Sequence, residues 1–386
     1  MPTSADFTEA DYPIRDPSTK KWKNIDLNKA IGFEYPAVKC SYNRRDVILF
    51  VSSANMLFVS FSFQRNPQHF AALQPPPRIQ LQHIAHTNPP SPFPPQANAI
   101  GVKFAELHFL SELHPHFSAF PTFPINLAFK RTEQDVFDFP AAMQTVPLPG
   151  VPRLDPQRTV DGERGIEIVA PVPVTSEGLD LEVRNRCTGA WDKGGNIVLE
   201  HVAELVDART GKVYTRMSNG GVGMKQGGFG GPSGPKAVVR RIPERAPDAV
   251  AVFHTTREVA MLYRLCGDYN PLHADDEFGR RAGFKGHILQ GLGTWNIVAH
   301  DVLRLMGGSD PSRFKTYGAR FRNVVYPGDV LETKIWKVGS EGGVDSLVFE
   351  TRVESDGRVA LSNGYATLKS ATVDAAVEAV AEVAKL

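Results

Sequence analysis

Residues 263–294 read YRLCGDYNPLHADDEFGRRAGFKGHILQGLGT, and the rest of the chain is organised around this stretch. Three polar side chains of different basicity lie within six residues: Asp268, Asn270 and His273. Gly267 permits a turn where a helix must end, and Pro271 disfavours helical backbone at the residue before it. Such a turn often does no more than close a loop. It can also aim a carboxylate, an amide and an imidazole at one point, as general acid–base chemistry requires.

A longer pattern around these residues favours the catalytic interpretation. The chain has Tyr-x-x-x-Gly-Asp-x-Asn-Pro-Leu-His from residue 263, then Asp275, Ala-Gly-Phe at 282–284 and Ile-Leu-x-Gly-Leu at 288–292. This pattern resembles the signature of MaoC-like (R)-specific enoyl-CoA hydratases, and in particular the hydratase-2 part of the peroxisomal multifunctional enzyme. The resemblance implies an α+β, double hot-dog fold, in which two long helices are each wrapped by an antiparallel sheet and form a pseudo-dimer within one chain.

Composition excludes several other classes of function. The 386 residues contain 43 Lys and Arg against 42 Asp and Glu, so a net charge of +1 gives no reason to expect nucleic acid as a partner. The histidines lack the His-Glu-x-x-His spacing of a zinc site, and no dinucleotide-binding glycine pattern occurs. We therefore expect no metal and no cofactor apart from the coenzyme A of the substrate. No run of 18 apolar residues predicts a membrane span.

The order of predicted elements divides the chain into two halves. Helices precede strands twice, which indicates α+β architecture rather than β-α-β winding. We predict a first hot-dog half at 1–218, which by the resemblance binds the acyl chain, and a Gly- and Pro-rich linker at 219–247. The linker lacks a phosphate-binding Gly-Lys-Ser/Thr ending, which favours a mobile connection. A MaoC-like catalytic half at 248–370 and a tail at 371–386 complete the predicted organisation.

Residues 51–96 do not fit the first half. These 46 residues include nine prolines and show no sustained apolar period, which is unusual inside a compact domain. Removing them joins two segments that together form one amphipathic helix ending at Gly101. We therefore hypothesise that this irregular insert is the translation of an unremoved intron. The alternative is a genuine surface loop.

Hydration of an enoyl thioester needs a base for water, an acid for C2 and a stabiliser for the thioester oxygen. Asp268 and His273 are the predicted acid–base pair, and their individual roles stay open because they titrate together. Asn270 does not titrate near neutral pH and is suited to holding the water. Gly291 is predicted to begin a long helix whose unpaired N–H groups form the oxyanion site. Its alternative role is close packing.

Further site residues follow from the resemblance alone. It implies contacts with acyl-CoA for Asp161, Gly162, Lys193, Tyr269, Pro271, Leu272 and Phe321. Lys193 could equally be a solvated turn residue, and Phe321 an ordinary core residue. Glu112 matches a family glutamate and is expected to support the first half. Gln290 stands where the family usually has histidine, so it is assigned a supporting role.

The last three residues, Ala384, Lys385 and Leu386, match the small-basic-leucine pattern of the peroxisomal address. They predict a peroxisomal location and the peroxisomal import receptor as a partner. The predicted function is hydration of trans-2-enoyl-CoA to (3R)-3-hydroxyacyl-CoA in fatty-acid β-oxidation. A dehydratase of secondary metabolism and an inactive acyl-CoA-binding protein are the alternatives, and homodimer formation is left open.

Overall fold

The computed structural model describes residues 7–52, 100, 102, 104–132, 136–139 and 146–371. The predicted insert from residue 53 onwards and the C-terminal tripeptide lie outside the described residues. Segments rich in β-branched and aromatic residues form the strands, as their propensities predict. Within the described part of the chain, ten of these strands form a single sheet and two form a small N-terminal ribbon.

The described residues of the first half form seven strands and four α-helices. Its strands are β1 Ile14–Arg15, β2 Trp22–Lys23, β3 Val38–Lys39, β4 Thr159–Ile168, β5 Leu181–Lys193, β6 Asn196–Asp207 and β7 Val213–Gly223. Its α-helices are α1 Leu27–Ala30, α2 Arg44–Ser52, α3 Leu107–Leu110 and α4 Leu127–Lys130. A 3₁₀ turn, Phe123–Asn126, leads directly into α4.

The second half has one strand before its helices and four strands after them. Its strands are β8 Ala249–His254, β9 Phe314–Phe321, β10 Val330–Glu341, β11 Val344–Val353 and β12 Val359–Lys369. Its α-helices are α5 Val259–Arg264, α6 Asp276–Arg281 and α7 Gly291–Gly307. The strand order of the large sheet is β3-β5-β6-β7-β4-β9-β12-β11-β10-β8, so each half occupies one side of it.

The two halves meet where β4 pairs with β9. The strands are antiparallel, and Glu163 lies opposite Arg320. Their side chains form an ion pair, with Arg320 Nε 2.6 Å from Glu163 Oε2. Gly165 lies opposite Gly318, and a Cβ built on either would come within 2.8 Å of the Tyr365 side chain. The seam is therefore a continuous, closely packed piece of sheet.

Helix α7 is the centre of the second half. Its apolar residues are buried around most of its circumference, as expected for a helix enclosed by a sheet. The helix ends at Gly308, which adopts the left-handed conformation with φ of 62° and donates its N–H to the Leu303 carbonyl. The Tyr317 hydroxyl of β9 donates to the Trp295 carbonyl at 2.8 Å and ties the helix to the sheet. No helix among the described residues is long and apolar enough to cross a membrane.

The predicted α+β, double hot-dog class is confirmed, but the two helices differ in length. Helix α7 has 17 residues, whereas the described part of α2 has nine. In the first half, the described residues after Pro121 form the 3₁₀ turn Phe123–Asn126 and then α4, whose C-cap Arg131 has a φ of 57°. Pro124 lies in the first turn of this segment, where its missing N–H costs no hydrogen bond.

Two predicted boundaries need correction. Helix α2 includes Val51 and Ser52, the first two residues of the predicted insert, because Val51 continues the buried face of Val47 and Phe50. The predicted linker begins too early as well. Residues 219–223 are the end of β7 and pair with both β4 and β6.

The glycine-rich connection after β7 is fastened to the first half. The N–H groups of Gly228 and Gly230 donate to the Asp192 carboxylate at 2.8 and 2.9 Å. Phe229 between them is buried. This part of the connection is therefore anchored to β5, and the prediction that it is mobile is wrong here. The Gly228 and Gly230 N–H groups are not available to bind a phosphate, because both already donate to Asp192.

Candidate active site

The hook from Gly267 to His273 is built by a glycine turn and a capped 3₁₀ helix. Gly267 has a φ of +122°, and a Cβ there would lie 2.5 Å from the Lys130 backbone nitrogen. Only glycine fits this position, because both the conformation and the close approach exclude a side chain. The Asn270 side-chain oxygen accepts from the Leu272 N–H at 3.0 Å, and Pro271 occupies the first turn. The turn predicted from Asn270-Pro271 is therefore present.

His273 is held in one orientation. It is 7% exposed, and its Nδ1 lies 2.9 Å from the Ile288 carbonyl oxygen. A carbonyl only accepts, so in the neutral imidazole Nδ1 carries the proton and Nε2 is left as an acceptor. Nε2 lies 3.7 Å from Asp268 Oδ2. This separation is too long for a direct hydrogen bond, but it lets one water oxygen lie within reach of both groups.

The pKa of Asp268 is raised, which suits a carboxyl group that must hold a proton during acid–base catalysis. Burial raises the pKa of its carboxyl above the ordinary value, and Asp161 adds to this increase. His273, the Asn270 N–H and Arg164 act in the opposite direction on that pKa. Desolvation is the largest cause, so the carboxyl holds a proton to higher pH than an exposed aspartate does.

The irregular segment 287–290, which leads into α7, is hydrogen-bonded to the hook. The Ile288 N–H donates to the Leu272 carbonyl at 3.2 Å, and the Ile288 carbonyl oxygen accepts the hydrogen bond from His273 Nδ1. Gln290 is the N-cap of α7 and is 1% exposed. Its Nε2 donates to the Ala260 carbonyl of α5 at 3.1 Å and so ties α5 to the start of α7. Its Oε1 is buried without a hydrogen-bond partner among the described residues.

Gly291 is the first residue of α7, where N–H groups have no carbonyl one turn earlier to bind. A Cβ on Gly291 would lie 3.3–3.7 Å from three ring atoms of Phe321. Two residues that the sequence assigned to the site are therefore neighbours in space. The glycine gives a ligand access to the positive end of the helix beside an aromatic wall.

The first half contributes charge to the site through β4. Arg164 and Asp161 form a bidentate ion pair with nitrogen–oxygen distances of 2.9–3.2 Å. Both affect the pKa of Asp268, which places them near the hook. Gly162 lies at a β-bulge, where a Cβ would approach Val222 Cγ2 to 2.8 Å. This crowding gives Gly162 a packing role that does not depend on substrate.

Two other residues predicted to contact acyl-CoA are Tyr269, which is part of the hook, and Lys193, which is on β5. Tyr269 packs edge-on against Phe139 of the first half, with ring centroids 6.3 Å apart, and Arg264 lies 5.3 Å from its ring centre. Lys193 ends β5, and its Nζ donates to the Pro235 carbonyl at 3.3 Å. The structure thus shows Lys193 holding the linker, and does not bring it to the acid–base pair.

The supporting glutamate of the first half differs from the predicted one. Glu112 is exposed, whereas Glu106 is 4% exposed and accepts from His300 Nε2 at 2.9 and 3.0 Å. The Ser309 hydroxyl also donates to Glu106, at 2.6 Å. This buried pair joins the first half to α7. A glutamate followed by a helical run gives no sequence signal for a histidine almost 200 positions away.

The structure also contains a cavity of about 370 Å³ at the other end of the seam. It lies where β4 ends and β9 begins, near Ile168 and Phe314, whereas Asp161 and Phe321 lie at the opposite ends of these strands. Its lining is mostly apolar, with Lys315 at its edge. Among the described residues, no group of three or more His, Cys, Asp or Glu is arranged to hold a metal ion.

An acid–base pair beside a helix N-terminus, at the seam of two hot-dog halves, defines a class of double hot-dog proteins with a composite site. Residues 238–359 match the MaoC like domain, and residues 96–220 match the MFE-2 hydratase 2 N-terminal domain. A MaoC-like dehydratase from Phytophthora capsici has the same overall structure, with a TM-score of 0.69 and 25% identity over 90% of this chain and 100% of that one.

Curated relatives agree with this class. A probable dehydratase, NIT22, of Ajellomyces capsulatus is 44% identical over 71% of this chain and 76% of its own length. A probable enoyl-CoA hydratase 2 of Dictyostelium discoideum is 33% identical over 71% of this chain and 88% of its own length. The mouse peroxisomal multifunctional enzyme type 2 is 35% identical, and the match spans 34% of it. The chain belongs to the MaoC-like hydratase and dehydratase family and is a hydro-lyase of the hydratase 2 type.

Proposed function

We propose that this protein adds water across trans-2-enoyl-CoA to form (3R)-3-hydroxyacyl-CoA in peroxisomal β-oxidation. The observation that carries the proposal is the pair of His273 Nε2 and Asp268 Oδ2, 3.7 Å apart, beside the start of α7. Relatives named enoyl-CoA hydratase 2 and peroxisomal multifunctional enzyme support the choice of substrate and compartment.

The pair divides the proton transfers between its two members. A water in reach of both groups loses one proton to the pair as its oxygen attacks C3, and C2 receives a proton from the pair. The fixed tautomer of His273 leaves Nε2 able to accept, and the raised pKa of Asp268 lets that carboxyl hold a proton. Positioned acid–base groups typically contribute about 10²–10⁴-fold each. The Asn270 side-chain oxygen caps the hook, so its amide nitrogen is the group suited to orient the water.

Gly291 stabilises the enolate-like thioester oxygen. Its N–H lies at the positive end of a 17-residue helix, where partial charge and free donors both favour an oxyanion. Phe321 beside it supplies an apolar wall for the thioester arm. Asp161, Gly162, Lys193, Tyr269, Pro271 and Leu272 stay proposed as acyl-CoA contacts. Glu112 is not retained as the support of the first half, because Glu106 has that place.

The first experiment measures the loss of enoyl absorbance when purified protein is added to crotonyl-CoA or trans-2-decenoyl-CoA. Hydration is expected without release of free thiol, and a (3R)-specific 3-hydroxyacyl-CoA dehydrogenase should oxidise the product whereas a (3S)-specific one should not. Thiol release would identify a thioesterase. Binding without turnover would leave an inactive acyl-CoA-binding protein.

The peroxisomal location has its own test. Ala384-Lys385-Leu386 supports import, and a fluorescent fusion that ends in this tripeptide should collect in peroxisomes. The same fusion without the last three residues should stay in the cytosol, and equal distribution of the two would remove the import receptor as a partner. Homodimer formation is a separate proposal, which sedimentation at several protein concentrations decides.

A dehydratase role in secondary metabolism is the second candidate. The relative with 44% identity is named a probable dehydratase, and hydration and dehydration share one site and one transition state. The direction is decided by which thioester the cell supplies. If short and long enoyl-CoA esters are both hydrated at less than about one turnover per minute while a particular 3-hydroxyacyl thioester is dehydrated faster, this role replaces β-oxidation.

A further inference from the structure

A fully buried hydrogen-bond network joins the first half to both catalytic elements of the second half. The Tyr263 hydroxyl of α5 donates to Asn126 Oδ1 at 2.9 Å and accepts from Asn296 Nδ2 of α7 at 2.7 Å. The Thr122 hydroxyl donates to Asn296 Oδ1 at 2.6 Å. All four side chains are at most 3% exposed. Thr122 and Asn126 belong to the first half, and the other two belong to the second.

The same first-half segment also packs directly on the hook. Helix α4 follows Asn126 without a break, and its last residue, Lys130, lies against Gly267. The Lys130 backbone occupies the space that a Cβ on Gly267 would need. The end of α4 and the start of the hook are therefore in direct contact. Because Gly267 immediately precedes Asp268, a shift of α4 changes the position of the catalytic carboxylate.

The attachment points lie close to both parts of the site. Tyr263 is five residues before Asp268, and Asn296 is five residues after Gly291. One hydroxyl therefore connects α5, the helix that leads into the acid–base hook, to α7, whose N-terminus is the proposed oxyanion site. Asn126 holds that hydroxyl from the other half of the chain.

Stability alone does not account for this network. Asn126 Nδ2 is buried and has no hydrogen-bond partner among the described residues, which is a cost that an apolar side chain would avoid. A buried polar network with fixed geometry does, however, specify one arrangement of the elements it joins. Relative placement matters here because a displacement of about 1 Å at a catalytic group costs about 100-fold in rate.

We propose that the first-half segment from Thr122 to Lys130 is a positioning clamp for the catalytic site of the second half. Thr122 and Asn126 hold α5 and α7 at a fixed separation, and α4 supports the hook. Thr122 and Asn126 are buried and act through α5 and α7, so both are positioning residues. The clamp rests on the proposed hydratase function only in the experiments that measure kcat. The hydrogen-exchange experiment tests it independently of that function.

Thr122→Val removes the hydroxyl that donates to Asn296 while it keeps the shape of the side chain. The expected result is a decrease in kcat of about 10- to 100-fold with KM changed less than about threefold, because the site is misaligned but still binds. Thr122→Ser keeps the hydroxyl and should restore most of the rate. Tyr263→Phe, which disconnects both halves of the network, should decrease kcat at least as much.

Thr333→Val is the matched control. Thr333 is 1% exposed, and its hydroxyl pairs with that of Thr351 at 2.9 Å in the outer strands of the second half. It loses a buried threonine hydrogen bond of the same kind at a distance from the hook. Both variants should lower the melting temperature, but only Thr122→Val should lower kcat. Equal kcat in the two variants would overturn the clamp.

Hydrogen exchange gives a readout that does not depend on turnover. The Leu272 and His273 N–H groups are bonded within the hook, to Asn270 Oδ1 and the Asn270 carbonyl. Thr122→Val should speed exchange across 268–274 by about tenfold or more, and Thr333→Val should leave it unchanged. Unchanged exchange in Thr122→Val refutes the clamp whether or not the protein hydrates enoyl-CoA. A wild-type protein without hydratase activity refutes only the proposed function.

Discussion

Asp268→Asn separates the chemical role of the hook from its structural role. The replacement has nearly the same shape, and its side-chain oxygen can still accept the Asn270 N–H, a contact of 3.3 Å in the wild type. The hook should therefore keep its geometry. What is lost is a group that can gain or release a proton 3.7 Å from His273.

The expected loss of activity follows from that single change. A positioned acid–base group contributes about 10²–10⁴-fold, so kcat should fall by this factor, or about 2.7–5.4 kcal/mol of transition-state stabilisation. KM should change little, because Asn retains the polar surface that substrate meets. The acidic limb of the pH–rate profile should change as well, since one member of a coupled pair no longer titrates.

Stability should move in the opposite direction to activity. Burial raises the folded-state pKa of Asp268, so the native protein binds this proton more tightly than the unfolded chain does. That contribution is fully present below the unfolded-state pKa and is lost as pH rises through the folded-state pKa. At neutral pH the ionised carboxylate therefore costs stability, and Asp268→Asn should unfold at a higher temperature than the wild type. The difference should shrink as pH falls through the folded-state pKa and should be absent below the unfolded-state pKa of about 4.

The assay combines initial rates of enoyl-CoA hydration with thermal unfolding at several pH values. Asp268→Glu is the control for the change in side chain, because it keeps the carboxyl group but lengthens the arm. Activity of Asp268→Asn within tenfold of the wild type would remove Asp268 from the proton transfers. A lower melting temperature at neutral pH would show that the charged carboxylate is stabilised by its neighbours, and would refute the argument from desolvation.

Two further predictions follow from the same region. Gly291→Ala should lower kcat about 100-fold, because its Cβ would lie 3.3 Å from the Phe321 ring and narrow the approach to the α7 N–H groups; the double variant with Phe321→Leu should recover activity if the effect is steric, and an unchanged single variant would place the oxyanion elsewhere. Glu106→Ala should cost about 1–3 kcal/mol in denaturant unfolding, because buried His300 Nε2 loses its hydrogen-bond partner. Exposed Glu112→Ala should stay within about 0.5 kcal/mol. Similar losses for both variants would contradict the assignment.

Local sequence patterns predicted the parts of this structure that local chemistry determines. The turn at Gly267, the cap at Asn270 and the helix from Gly291 each depend on residues a few positions apart. The fold class, the family and the hydro-lyase activity are confirmed by the comparisons.

Contacts between distant segments could not be predicted in the same way. Glu106 rather than Glu112 supports the first half because His300, on α7, lies opposite Glu106 in space. The ion pair of Glu163 with Arg320 depends on the register of β4 against β9, which no local pattern encodes. The extension of β7 beyond residue 218 was hidden by its glycines, which predict a loop unless neighbouring strands supply partners.

Gln290, the N-cap of α7, is an amide that does not titrate near neutral pH. The resemblance to the hydratase-2 pattern predicts histidine here, a side chain that can titrate near neutral pH, whereas an amide cannot. The amide instead donates to the Ala260 carbonyl and ties α5 to α7 without changing charge. Gln290 thus supplies a hydrogen bond between α5 and α7 and adds no titrating group beside Asp268 and His273. In the proposed hydration, proton transfer depends on Asp268 and His273, and the proposed clamp gives both halves of the chain a part in placing them.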